Sequence, residues 1–556
     1  MRCIHKVIFA LILLLFIKCS PENEFHQANK NIKEYKLWYK QPAKIWDEAL
    51  PVGNGRLGAM VFGGVYTERI QLNEESLWAG KRFNTYNPNA LRDLPKIREL
   101  IFEGKIKEAY ELGNRSLLGT PPRFRSYQTM GDIYLSFDSL VSYSNYQREL
   151  NLNSGISSTI FTIGETTFTR EVFTSSPDNV VVIHISADKP GEINTSIALQ
   201  RQKDAQVKAE NNQLIMTGQI IDDSTKAQGA GGEHMKFASK LLAINKGGEL
   251  ITNDTTLQVK NTDELFILYT AATDYNLEKL NFDRTINPLS ICNDILVKAK
   301  EKDYLKIKES HIKEHSPIFN RVQINLGGEH LSSIPTDVRL DSVKKGAEDP
   351  ALIALYFQYG RYLLMGSSRA PGKLPANLQG VWNGHFVAPW NSDYHTNINL
   401  QMNYWLAEIC NLSEMTVPLV NIVDKWREPG RETAREMYGC SGWAMHHATD
   451  IFGKTTPIAD MRWGMSPLSG VWMTFPLWRH YEYTLDKEYL RTKAYPIMKE
   501  AMEFVSDFLI EKDGYLVTNP TMSPENAYIL EGKDYPCQLT YASTIDNQTL
   551  MAHIDN

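Results

Sequence analysis

The spacing of apolar residues changes once along this chain, and that change limits what it can fold into. From about residue 35 to 280, short runs such as Ile133–Phe137, Val180–Ile185 and Glu264–Tyr269 are separated by Gly, Asn, Asp and Ser clusters. Runs of that length, punctuated by turn residues, predict strands, and a series of them predicts a large antiparallel sandwich. After about residue 347 apolar residues recur at helical spacing, in Pro350–Met365, Leu400–Cys410, Pro418–Trp426, Leu468–Tyr483 and Tyr489–Ile510. The charged stretch Lys298–Lys308 between them reads as part of a helical linker. The expected organisation is a β-sandwich domain over residues 35–280, a linker over 281–345 and a helical domain over 346–556.

With 556 residues there is room for several domains. A net charge of -6 leaves no basic stripe, so nucleic acid is not an expected partner. The N-terminus carries an address. Arg2, His5 and Lys6 precede the apolar run Val7–Ile17, which has signal-peptide length and is too short to span a membrane. Cys19 and the polar stretch Ser20–Glu24 follow, in the manner of a bacterial lipoprotein signal over residues 1–19 with Cys19 lipidated. The mature protein is then expected in the periplasm or anchored to the outer membrane. Lys18 departs from the usual small residue, so plain secretion is the alternative. The later cysteines, Cys292, Cys410, Cys440 and Cys537, contain no CxxC pair, which argues against a zinc ribbon. One bridge, such as Cys410 with Cys440, is chemically allowed in an oxidising compartment.

Val381–Trp405 concentrates Trp and Tyr rings among Asn side chains, Asp393, His385 and His395, with little charge. Flat rings beside neutral amides suit a sugar, whose C–H faces stack and whose hydroxyls need donors and acceptors. Trp382, Trp390 and Asp393 are the expected sugar contacts here. His447 and Trp463, the latter in a second aromatic stretch Trp463–Trp472, extend the same wall. Gly53-Asn-Gly-Arg-Leu-Gly58 matches G-x-G-x-x-G, but Ala59–Phe62 continues as strand rather than helix. These glycines read as tight β-turns facing the site, not as a nucleotide loop. His446, His447 and Asp450 have no HExxH or carboxylate cluster beside them, so neither metal nor cofactor is expected.

Thr518-Asn-Pro-Thr-Met-Ser-Pro-Glu-Asn526 is the second informative segment. Pro520 and Pro524 fix the backbone around Glu525. A carboxylic acid held beside aromatic walls would have its pKa raised by desolvation, as a general acid needs. Asn526 next to it is a further candidate sugar contact.

Five pieces together resemble glycoside hydrolase family 95, the inverting α-L-fucosidases. They are Leu37–Met60, Gln71–Gly80, Leu378–Trp382, His395–Trp405 and Ser523–Asn526. The resemblance implies an N-terminal β-domain, a helical linker and an (α/α)6 barrel. It places Glu525 at the general acid, Asn397 and Asn399 at the two asparagines that hold the attacking water, and His395 at a fucose contact. The usual inverting scheme uses two carboxyls roughly 6.5–9.5 Å apart. In this family the two asparagines act with an Asp from the later part of the barrel, beyond residue 556. The helical segments visible here fill only the first part of such a barrel, so a truncated enzyme is the expectation. The implied partner is a fucosylated oligosaccharide or polysaccharide. The alternatives are an α-L-galactosidase of the same family and a degenerate glycan-binding protein.

Overall fold

The computed structural model describes residues 33–137, 141–532 and 534–556; the leader and Cys19 lie outside them. Two antiparallel sheets make up the first part of the chain. The larger runs, edge to edge, through Lys36–Tyr39, Tyr143–Asn151, Ile156–Ile163, Thr166–Ser175, Val180–Ala187, Glu264–Thr273, Gly232–Lys246, Gln213–Asp222 and Ala205–Glu210. The second runs through Glu249–Thr252, Thr256–Thr262, Ile193–Gln200, Gly131–Phe137, Thr67–Glu74, Leu57–Val61 and Leu50–Gly53.

Ile193–Gln200 and Gly131–Phe137 of the second sheet alternate between buried and more exposed residues, because one face looks inward. Val180–Ile185 is buried at every position instead. Its Val181, Ile183 and Ile185 join the core between the sheets. Val180 and Val182 point outward, where Leu296, Ala299, Tyr304 and Ile307 of two helices cover them. Those helices, Pro288–Ala299 and Tyr304–Phe319, are therefore the outer layer of the larger sheet and not a free linker. The first starts where Asn287 Oδ1 accepts the Leu289 and Ser290 N–H groups, with Pro288 at the first helical position.

Helices dominate after residue 349. Asp349 caps Pro350–Ser367 by accepting the Leu352 N–H, and is itself held by a two-pronged pair with the Arg339 guanidinium. Asn399–Ile409 and Val417–Thr433 follow. The expected helix Leu468–Tyr483 is broken into Ser469–Trp472 and Phe475–Thr484, because Pro476 begins a new helix and cannot continue the old one. The expected Tyr489–Ile510 segment is likewise a wide turn at Leu490–Ala494 followed by Tyr495–Phe508, which has Pro496 in its first turn. Cys292, Cys410, Cys440 and Cys537 are all buried free thiols, so the Cys410–Cys440 bridge is not formed.

The β-rich and helical parts meet at Trp382. Its ring lies against Gly53, Gly58, Gly366 and Gly380, where an added Cβ would sit 2.9, 3.1, 3.0 and 3.0 Å from indole atoms. The indole N–H donates to the Val52 carbonyl at 2.9 Å. Gly53 and Gly58 belong to the hairpin Leu50–Gly53/Leu57–Val61, so the glycine motif makes a β-turn as expected. It faces this indole, however, and not a ligand site.

Candidate active site

The segment from Phe386 to Asn397 is shaped by the β-rich part. The Thr129 N–H donates to His385 O and the Tyr127 N–H to Asn391 O, while Asn73 and Asn383 exchange amide hydrogen bonds at 2.9 Å in both directions. Tyr394–His395 then pairs as a short strand with Ala448–Thr449, in register His395 to Ala448. The Thr396 N–H donates to His447 O at 2.7 Å. This pairing brings His395 and His447 edge to face, with ring centroids 5.8 Å apart.

Asp393 is buried, and its carboxylate accepts a hydrogen bond from His395 Nδ1. Burial raises the Asp393 pKa to about 6, against the pull of His395. At His395 burial alone would lower the pKa. The hydrogen bond and charge of Asp393, with the charge of Glu525, outweigh it and hold the imidazole above its usual value. Desolvation pushes His447 down to about 3, helped by the neighbouring His395, so that ring is neutral. His447 Nδ1 and Asn397 Oδ1 are buried without hydrogen-bond partners. A neutral ring nitrogen, an amide oxygen and a partly charged imidazole on one strand-to-helix junction can bind hydroxyls and orient a water.

Asn397 is buried, whereas Asn399 is exposed at the first turn of Asn399–Ile409. Trp390 and Trp463 present 73% and 39% of their surface, leaving ring faces for stacking. Trp382 does not: at 4% exposure, enclosed by glycines, it has no face to offer a sugar. Asp393, 2% exposed, acts on His395 rather than on a ligand. His446 and Trp443 are structural. His446 hydrogen bonds with the Tyr438 hydroxyl and Thr455 O, and the Trp443 indole donates to Ile497 O. Trp472 lies apart from Trp463, in a groove with Trp405 and Tyr483.

The Glu525 loop is anchored at its base. The Thr518 hydroxyl donates to buried Asp546, Arg98 Nε donates to Asn519 O, and Thr521–Met522 pairs with Leu539–Thr540. At the tip, the Asn526 N–H donates to Ser523 O, and both Glu525 and Asn526 are exposed. The aromatic enclosure expected around Glu525 is therefore not present. Sequence reasoning missed Asp546, whose only signal was its place in the first turn of a helix capped by Ser543. It also missed Glu75, which accepts the Lys373 and Leu374 N–H groups and so ties the β-rich part to the segment leading into the site.

Comparison with known proteins fits this arrangement. The description "Glycosyl hydrolase family 95 catalytic domain" matches residues 303–556, and "Glycosyl hydrolase family 65, N-terminal domain" matches residues 37–278. "Alpha-L-fucosidase 2" of Arabidopsis thaliana is 34% identical over 98% of this chain and 68% of its own length. "Probable alpha-fucosidase A" of Aspergillus niger is 34% identical over 90% of this chain. The chain spans 65% of that second relative, so about two thirds of the curated relatives it matches. Among solved structures, a "Putative kojibiose phosphorylase from human microbiome" aligns with a TM-score of 0.57 at 11% identity, over 88% of this chain and 61% of the other, which is a likeness of fold. On the extent of the two fucosidase alignments and the match across its helical part, the chain belongs to glycoside hydrolase family 95.

Proposed function

We propose that this chain carries the acid side of an inverting α-L-fucosidase, acting on terminal α-L-fucose of glycans. Glu525 gives its proton to the departing glycosidic oxygen while water attacks the anomeric carbon from the opposite face. Asn397 Oδ1 accepts a hydrogen bond from that water, Asn399 completes its seat, and the proton that the water loses passes to the Asp that the family resemblance sets behind the two amides. His395, held by Asp393, and neutral His447 bind sugar hydroxyls, with Trp390 and Trp463 as stacking faces and Asn526 beside the acid. The helical part is read as the first part of an (α/α)6 barrel. The observation that carries the reading is the junction where Asp393–His395, His447 and the unpartnered Asn397 oxygen converge and where the Glu525 charge is felt.

The test is hydrolysis of 4-nitrophenyl α-L-fucoside followed by proton NMR. Release of β-L-fucose first supports inversion; release of the α-anomer overturns it. Comparison with the α-L-galactoside decides the sugar. The exposed Glu525 favours a second reading, a glycan-binding protein without turnover. Calorimetric binding of L-fucose with no hydrolysis would establish that one. Export with a lipid on Cys19 is part of the proposal. It is checked by cell fractionation of Cys19→Ser, and an uncleaved cytoplasmic protein would refute it.

A further inference from the structure

Between the strands Thr67–Glu74 and Gly131–Phe137 the β-rich part sends out a pair of helices, Ala90–Phe102 and Ile106–Ser116. Both are amphipathic: Ala90, Leu94, Ile97 and Ile101 recur at helical spacing and are buried, as are Ile106, Ala109 and Gly113 of the second. Arg98, Tyr110 and Asn114 of the pair reach two loops of the helical part.

Arg98 makes the larger contact. Its Nε donates to Asn519 O at 2.8 Å and its Nη2 to Phe508 O at 3.1 Å, while Asn519 Nδ2 donates back to Arg98 O at 3.2 Å. Phe508 ends the helix Tyr495–Phe508, so the guanidinium satisfies a carbonyl that the helix leaves open and puts a positive charge at its negative end. Asn519 is fully buried and begins the excursion that carries Glu525. That excursion leans on the same helices further along. The Phe102 and Tyr541 rings meet edge to face with centroids 5.1 Å apart, and a Cβ added to Gly104, in the turn between the helices, would sit 3.2 Å from Leu530.

On the second helix, the Tyr110 hydroxyl donates to Asp460 Oδ2 at 2.6 Å, and Asn114 Oδ1 accepts the Met461 N–H at 3.1 Å. Asp460 caps the short helix Met461–Gly464, which bears Trp463. One element of the β-rich part thus grips the bases of the loops that carry Glu525 and Trp463. Glu525 itself is exposed, so its position follows from where the base of its loop is held.

We propose that Arg98 is a positioning residue for Glu525: by clamping Asn519 to the end of Tyr495–Phe508 it holds the acid loop turned toward His395. The inference rests on the reading of Glu525 as the proton donor. The β-rich part then takes part in proton delivery without touching the sugar.

The experiment titrates the His395 ring by NMR in the 556-residue chain, because the Glu525 charge raises the pKa of that ring and so reports how near the carboxylate is held. Arg98→Met should lower the His395 pKa as far as Glu525→Gln does, and the double variant should lower it no further. If Glu525→Gln lowers it and Arg98→Met does not, Arg98 loses this role and the acid reading stands. If Glu525→Gln leaves it unmoved, the acid reading falls and takes this proposal with it. Hydrogen exchange separates a loosened loop from a loosened fold. In Arg98→Met the amides of Thr521, Met522 and Asn526 should exchange roughly tenfold faster, with those of Val417–Thr433 unchanged. Faster exchange in Val417–Thr433 as well would make Arg98 a residue of general stability and overturn the proposal. Should Arg98→Met not fold, Arg98→Lys, which keeps the charge but cannot reach both carbonyls in the same fork, is read by the same two measurements.

Discussion

Asp393 and His395 lie two residues apart on one extended segment, and the Asp393 carboxylate accepts the Nδ1 proton of His395. Side chains at i and i+2 of a strand point the same way, so the local backbone itself brings the pair together. The bond fixes the imidazole tautomer and leaves Nε2 for a ligand. Asp393→Asn should lower the His395 pKa, because the hydrogen bond and charge that offset burial are lost. Glu525→Gln should lower it by less. NMR titration of the His395 ring checks both, and an unmoved titration in Asp393→Asn refutes the pairing.

On natural α-L-fucosides, Glu525→Gln should cut turnover by roughly 10²–10⁴-fold in an active form of the enzyme, the usual worth of a general acid. With fucosyl fluoride, whose leaving group needs little protonation, the loss should be much smaller. Equal losses on both substrates would remove Glu525 from the acid role.

The two exposed-ring and buried-ring tryptophans should separate cleanly. Trp382→Ala should destabilise the fold by about 3–5 kcal/mol, the range for emptying a large core side chain. Trp390→Ala should leave the unfolding midpoint unchanged and raise KM. Denaturant unfolding together with steady-state kinetics reads both, and the reverse pattern contradicts the placement of these rings.

Stability should fall with pH through Glu75. Burial, then the adjacent Glu74, raises its pKa from 4.5 to about 8, against the hydrogen bonds it accepts from Lys373 and Leu374. The folded protein therefore holds a proton that the unfolded chain has released, and this stabilisation is complete below about 4.5 and gone above about 8. Between those limits the slope from this group is up to about 1.4 kcal/mol per pH unit. Glu75→Gln should remove that part of the slope in unfolding measured from pH 5 to 8; an unchanged slope would contradict the assignment.

Much of the fold was legible because strand and helix periods differ: Ile133–Phe137, within the strand Gly131–Phe137, and Pro350–Met365, within the helix Pro350–Ser367, show it plainly. What escaped were tertiary facts. Val180–Ile185 reads as one buried run, but only the structure tells which residues face the other sheet and which face the helices. At the candidate site the stretch Asp393–Asn397 could be singled out from sequence, but the pairing of Asp393 with His395 within it could not. Trp382 has the composition of a sugar contact, and only its glycine surroundings make it core. Glu525 follows Pro520 and Pro524 in its loop, yet its exposure depends on what packs around that loop, which no local pattern encodes.

The seat of Trp382 also bears on how such a chain can be recombined. Residues 37–278 and 303–556 match separate family descriptions, as if the two were exchangeable modules. Yet the indole belongs to one and Gly53 and Gly58 to the other. Grafting a foreign β-rich segment onto this helical part would collide with the ring unless the graft carried small residues at both places. The smallest transplantable unit is therefore the pair, and chimeras designed at the 278–303 boundary need the glycine hairpin matched to the tryptophan before anything else.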